Sequence, residues 1–142
     1  MLLPEPIRTW WARLRAPLSL GARGEREAAR FLRRLGYKIV ARSQRSRLGE
    51  IDLVAVDGRT VVFVEVKTRR SHDAGHPTEA IDADKQRRLT RAALAYLKRH
   101  GLLECSARFD VVAITWPDAG GKPTVEHLLN AFPAIGTGQM FS

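Results

Sequence analysis

One cysteine, Cys105, is all that this chain of 142 residues contains. A lone thiol closes no internal disulfide and completes no cysteine metal site, and it fits a reducing, cytoplasmic setting. No apolar run approaches the roughly 20 residues that a membrane-spanning helix needs, so no membrane role is read. Arg8, Arg13 and Arg15 interrupt every candidate apolar core near the N-terminus, which argues against a secretory signal. His72 and His76 lack the matching Cys/His set of a zinc site. Repeats, low-complexity tracts and linkers are also missing. The chain therefore divides into a basic, tryptophan-containing leader over residues 1–20 and one domain over residues 21–142. Acidic residues are scarce at the start: residues 1–48 hold 12 Lys/Arg against 3 Asp/Glu, while residues 49–142 hold 12 of each. The whole net charge of +9 thus lies ahead of residue 49. A basic flank of this kind suits a polyanionic partner such as nucleic acid.

What is present is organised around residues 49–67, GEIDLVAVDGRTVVFVEVK. These read as two strands joined by a tight turn at Asp57-Gly58. Alternation places Glu50, Asp52, Val54 and Val56 on one face of the first strand, with Ile51, Leu53 and Ala55 opposite. On the second strand Val61, Phe63, Glu65 and Lys67 share a face. That strand is apolar on both sides until Glu65, as in mid-sheet, where charges are costly unless paired or bound to metal. Hairpin pairing brings Asp52 to the same end of the sheet as Glu65. Two carboxylates there make an oxygen-rich site for Mg²⁺ or Mn²⁺. Lys67 alone does not neutralise both, so a plain structural ion pair explains the set poorly. A metal beside a lysine supplies what phosphodiester hydrolysis requires. The basic flank argues against a glycosidase with a neutral sugar substrate.

Around the hairpin, a helix is predicted over residues 21–35, with Glu25 in its first turn, where the helix dipole favours a carboxylate. A short strand over 37–41 and a polar loop over 43–48 follow. Further on come a loop over 68–77, a helix over 82–99, and strands over 108–116 and 124–128. In the leader, Ile7, Trp10, Trp11 and Leu14 fall at helical spacing, and its tryptophans are expected to pack on the domain. Arg26, Arg30 and Arg33 on the first helix are candidate phosphate contacts. So are Arg45 and Arg47 in the polar loop, Arg69 and Arg70 after the hairpin, and Arg87 and Arg88 on the second helix.

The arrangement resembles the PD-(D/E)XK superfamily of metal-dependent nucleases. More narrowly, it resembles the YraN family of small bacterial proteins, akin to archaeal four-way-junction resolvases. The residues that carry this resemblance are Gly24-Glu25, Gly49-Glu50-Ile51-Asp52, Phe63 to Arg69, Arg108-Phe109-Asp110-Val111-Val112 and Glu126 to Phe132. It implies Asp52 as a metal ligand, Glu65 for metal and water, Lys67 for catalysis and Glu25 as a further acidic ligand. Ile51 stands where the motif's name has proline. Gln86, followed by Thr90 rather than tyrosine, keeps half of a Gln-x-x-x-Tyr element, and with Glu50 it is a subsidiary site candidate. The implied fold is α/β and restriction-endonuclease-like, a mixed central sheet flanked by helices in the order α-β-β-β-α-β-β. The implied function is metal-dependent endonuclease or resolvase action on DNA, structured or branched ahead of simple duplex, with a homodimer left open. The alternative is a catalytically silent nucleic-acid-binding module or a subunit of a DNA-processing complex. A third reading, an adaptor docking through the leader, has less support.

Overall fold

Val61, Val62, Phe63 and Val64 follow one another with at most 5% exposure each, which a strand achieves only when both its faces are covered. In the computed structural model, which describes residues 4–15, 18–73, 75 and 81–134, they form the middle of β3 (Thr60–Arg70). Its sheet runs in the order β1 (Lys38–Ser46), β2 (Gly49–Asp57), β3, β4 (Ala107–Trp116), β5 (Thr124–Phe132). Neighbours are antiparallel except β3 and β4. That parallel pair needs a crossover, which is α3 (Ala83–Arg99). Helix α2 (Leu20–Arg34) covers one face, setting Ala28, Ala29 and Leu32 with Leu53, Val62, Val64, Val112 and Ile114. Helix α3 covers the other, setting Leu89, Ala93 and Leu97 with Ile51, Val54, Phe63, Phe109 and Val111. From α2 onward the order is α-β-β-β-α-β-β, the mixed α/β architecture that the resemblance implies.

Both helices start on side-chain caps. Ser19 Oγ accepts from Ala22 N–H at 3.1 Å and Asp82 Oδ1 from Lys85 N–H at 2.8 Å. Helix α1 (Glu5–Arg15) occupies the leader, and Pro6 is tolerated in its first turn, where no intrahelical N–H bond is lost. Trp10 is 56% exposed, contrary to the expectation that it packs away. Pro17, His76, Pro77 and the side chains of Trp11 and Leu14 lie outside the described residues.

Four boundaries differ from the sequence reading, one of them the end of β5, which runs on to Phe132 instead of stopping at residue 128. The hairpin turn is Gly58-Arg59, since Asp57 already pairs with Thr60. Gly58 has φ 60°, which glycine adopts without strain and which a two-residue turn of type II′ requires at its first position. Strand β1 continues through the polar stretch to Ser46, because an edge strand needs no apolar face on its solvent side. Strand β3 likewise runs on to Arg70, past the expected start of a loop.

On the far side of the sheet, β4 and β5 enclose a second polar cluster. The Asp110 carboxylate, fully buried, accepts from Arg108 Nε at 3.0 Å and Asn130 N–H at 2.9 Å, and its other oxygen lies 2.8 Å from His127 Nε2. Arg108 also donates to Tyr37 Oη at 2.7 Å and to Asp57 Oδ2 at 3.1 Å. One arginine thereby ties the hairpin end and the start of β1 to β4.

Candidate metal centre

Strands β2 and β3 pair in register from Asp57↔Thr60 back to Leu53↔Val64 and then part. Extending that register would set Ile51 opposite Val66. Instead the Val66 N–H donates to Asp52 Oδ2 at 2.8 Å, so a side chain takes over a bond the ladder would have made. Across from Asp52 on β1 stands Ser43, in the left-handed region at φ 46°. The side-chain alternation breaks here. Ile51 and Val54 both pack toward α3, whereas Leu53 and Ala55 pack toward α2. The common face expected for Ile51, Leu53 and Ala55 is therefore corrected: Ile51 packs on the other side of the sheet, next to the point where the Asp52 carboxylate is bonded to the backbone of β3.

Around this opening Glu25, Glu50 and Asp52 each bring a carboxylate oxygen within 4.8 Å of the others, a cluster that can hold a metal ion. Its donors are all oxygens, the set preferred by Mg²⁺ and Mn²⁺. Glu25 comes from the second turn of α2, not the first as expected, because the helix starts at Leu20 on its Ser19 cap; Ser43 Oγ donates to its Oε2 at 3.3 Å. Glu50 is exposed at the start of β2, with Arg45 Nε 3.4 Å away. Burial, then the negative charge of Glu65, push the Asp52 carboxyl up to about 7; Glu25 and Glu50 add to this, and the Val66 N–H opposes it. A surplus of buried negative charge of this kind is what a bound cation relieves.

That charge has a consequence for stability. Unfolded, the Asp52 carboxyl ionises near 3.8; folded, only near 7, so its ionisation disfavours the fold increasingly between those values. In EDTA, Asp52→Asn is expected to melt higher than the wild type by roughly 4–8 °C, or about 2 kcal/mol, at pH 7 and above. The difference should shrink to nothing near pH 4, and a lower melting point at pH 7.5 would contradict it.

Glu65 lies on the α3 side of β3, its side chain only 9% exposed, and its Oε1 sits 2.5 Å from Lys85 Nζ. It thus bears on Asp52 through its charge without its oxygen joining the three-carboxylate cluster. Lys67, half-buried, follows two residues later on the same strand. Gly24 decides how closely α2 approaches this end of the sheet. A Cβ there would stand 1.8 Å from Thr68 Oγ1, 2.8 Å from its Cβ and 2.9 Å from its Cγ2. Rotating Thr68 does not remove the contact with its Cβ, so the helix itself must move. Gly24→Ala is expected to lose about 1–3 kcal/mol despite the better helix propensity of alanine, and to draw Glu25 away from Asp52. Urea unfolding checks the first effect and Mn²⁺ titration the second.

The basic candidates separate by their partners. Arg26, Arg33, Arg47 and Arg70 are exposed, and Arg88 is exposed beside Gly49 and Glu50. Arg30 pairs with Glu27 at 3.0 Å and Arg87 with Asp84 at 2.9 Å, both along their own helices. The Arg69 guanidinium instead donates to the carbonyls of Asp73 and Gly75. Through these bonds Arg69 braces the loop after β3. Gln86 Nε2 donates to the Ile81 carbonyl at 2.7 Å, and Thr90 Oγ1 to the Gln86 carbonyl at 2.7 Å, so both brace the start of α3. Sequence reasoning missed Ser43 and Lys85 as parts of this region, and took in Thr68 only as one residue of the stretch Phe63 to Arg69. Lys85 is one of several basic residues in the first half of α3, with Arg87, Arg88 and Arg91, and nothing local marks which of them meets Glu65.

Residues 24–114 match the model of a family described as uncharacterised protein family UPF0102. A UPF0102 protein of Rhodopirellula baltica is 46% identical over 145 residues, covering 96% of this chain and 87% of that protein. One from Geobacter sulfurreducens is 55% identical over 115 residues, 80% of this chain and 88% of its own length. Another, from Symbiobacterium thermophilum, is 50% identical over 115 residues, 81% of this chain and 97% of that protein.

Proposed function

For this chain, which belongs to the UPF0102 (YraN) family, we propose a metal-dependent endonuclease or resolvase activity on DNA, structured or branched substrates ahead of simple duplex. The observation that supports it most is the convergence of Glu25, Glu50 and Asp52 within 4.8 Å at the opening between β2 and β3. Glu65 and Lys67 lie at the neighbouring end of β3. Asp52 and Glu25 are the residues that would hold Mg²⁺ or Mn²⁺, with Glu50 or Glu65 completing the oxygen set. A bound divalent cation polarises a phosphoryl oxygen and makes an attacking water more acidic. The chain's own contributions are distinct. Glu65 accepts a proton from the water and orients it. Lys67 donates to the phosphate oxygen on which negative charge grows, an interaction stronger in the transition state than in the ground state. The exposed Arg26, Arg33, Arg47, Arg70 and Arg88 bind flanking phosphates, with Arg30, Arg45 and Arg87 available once their acidic partners exchange.

The test incubates purified protein with branched, single-stranded and duplex DNA, with Mg²⁺, Mn²⁺ or EDTA. Cleavage is expected only with metal, and fastest on branched DNA. DNA binding without cleavage in any metal would favour the silent binding module, and absence of both would remove nucleic acid as the partner.

A further inference from the structure

Lys85 is the third residue of α3, in the first helical turn. That is the wrong end of a helix for a cation, because the unsatisfied N–H groups there carry partial positive charge. Yet Lys85 Nζ lies 2.5 Å from Glu65 Oε1, joining a carboxylate that is 9% exposed to an ammonium on a side chain that is 45% exposed. A long, strongly hydrated side chain reaches inward from the surface to meet a carboxylate among four acidic groups that act on one another. Beside it, between the start of β2 and α3, is a notch of about 150 Å³ lined by Gly49, Glu50, Lys85, Arg88 and Leu89. The ammonium therefore has room to leave Glu65 by turning about its own side-chain bonds, with α3 staying in place.

We propose that Lys85 is the counter-ion of the metal-free centre: its ammonium occupies Glu65 until a divalent cation takes the carboxylates, and the two cations compete. This rests on the metal-centre reading above. The ion pair offsets part of the repulsion among Asp52, Glu65, Glu25 and Glu50, which keeps the fold stable without metal. It also weakens metal binding, because a positive charge already stands on Glu65, beside the carboxylates that the incoming cation takes. Lys85 is thus a positioning residue that sets the metal concentration at which the centre fills.

The experiment is calorimetric titration of EDTA-stripped full-length protein with Mn²⁺, in the wild type, Lys85→Met and Lys85→Arg. Lys85→Met is expected to bind Mn²⁺ up to about fivefold more tightly, the upper end for a partly exposed ion pair, and to melt lower in EDTA. Lys85→Arg, which keeps the charge, should bind no more tightly than the wild type. Should Lys85→Met fail to fold without metal, Lys85→Gln replaces it, since the amide still donates to Glu65 without the charge. As an independent readout, the rate at which an amine-acylating reagent modifies Lys85, followed by peptide mass, should rise in the wild type when Mn²⁺ is added. If the wild type binds Mn²⁺ and the charge-removing variants Lys85→Met or Lys85→Gln bind it equally or less well, Lys85 is a structural ion pair and only this inference falls. If neither the wild type nor the variants bind Mn²⁺, the metal-centre reading falls with it.

Discussion

Cleavage by Lys67→Ala is expected to fall by about two to three orders of magnitude, while its affinity for DNA stays close to that of the wild type. The size follows from removing one preorganised donor to a developing oxyanion, a loss of roughly 3–4 kcal/mol in transition-state stabilisation. Binding survives because Lys67 is half-buried at the end of β3 and is one cation among many, most of them exposed arginines. Asp52→Ala and Glu65→Ala should lose at least as much activity for a different reason. Asp52→Ala removes a carboxylate of the three-acid cluster and should also weaken Mn²⁺ binding, whereas Lys67→Ala should leave Mn²⁺ affinity intact. Single-turnover cleavage of branched DNA, paired with metal titration of each variant, separates these cases. Equal cleavage by wild type and Lys67→Ala would remove the proposed mechanism, whatever nuclease activity remained.

The largest effect on stability is expected at Asp110, which pairs with Val64 in the β3–β4 ladder and faces its own polar cluster. Burial pushes its carboxyl up, but His127, the Asn130 N–H and Arg108 together outweigh burial and hold it below the ordinary range of aspartate. Asp110→Ala would strip Arg108 of one of its two acidic partners, orphan the Asn130 N–H and leave His127, 6% exposed, facing an empty space. Removing one member of a buried charged set costs about 3–5 kcal/mol, here roughly 10–15 °C in melting temperature. The local fold amplifies the loss. The β4–β5 register shifts between Phe109 and Val111, and Asn130 sits at φ 51°, so Asp110 pins an irregularity that would otherwise cost strain. The pH dependence follows from the lowered carboxyl. Its contribution is complete above the unfolded value of 3.8 and is lost as pH falls through the folded value below it. Wild type and Asp110→Ala should therefore differ most near neutrality and converge in strong acid. A drop of less than about 2 °C at pH 7 would show that water satisfies the cluster as well as Asp110 does. Mn²⁺ binding by any folded fraction of the variant should be unchanged, which keeps this test apart from the metal centre.

Within single elements, the sequence alone determined a good deal. Two-residue alternation put Glu65 and Lys67 on one face of β3 beyond an apolar run, and β3 lies in mid-sheet as that run required. The spacing of Ala28, Leu32 and Leu35 reads as the apolar stripe of α2, but only the first two are buried, since Leu35 caps the helix end and is 53% exposed. Leu89, Ala92, Ala93, Tyr96 and Leu97 do form the buried face of α3. These inferences hold because periodicity and propensity act over a few neighbouring residues and are written into them. The predicted turn missed by one residue and β1 was cut short, since exposed edge strands carry little hydrophobic signal. Only the tertiary structure decided how the acids assemble. The turn of the chain at Asp52 arises where its carboxylate captures the Val66 N–H, 14 residues away in sequence. Ser43 reaches Glu25 across 18 residues, and Lys85 reaches Glu65 from a helix on the far side of a loop. Such meetings depend on the separation of packed elements to within an ångström or so, here governed by Gly24 lying against Thr68. No local pattern encodes that distance, because it is the sum of every side-chain volume between the helix and the sheet.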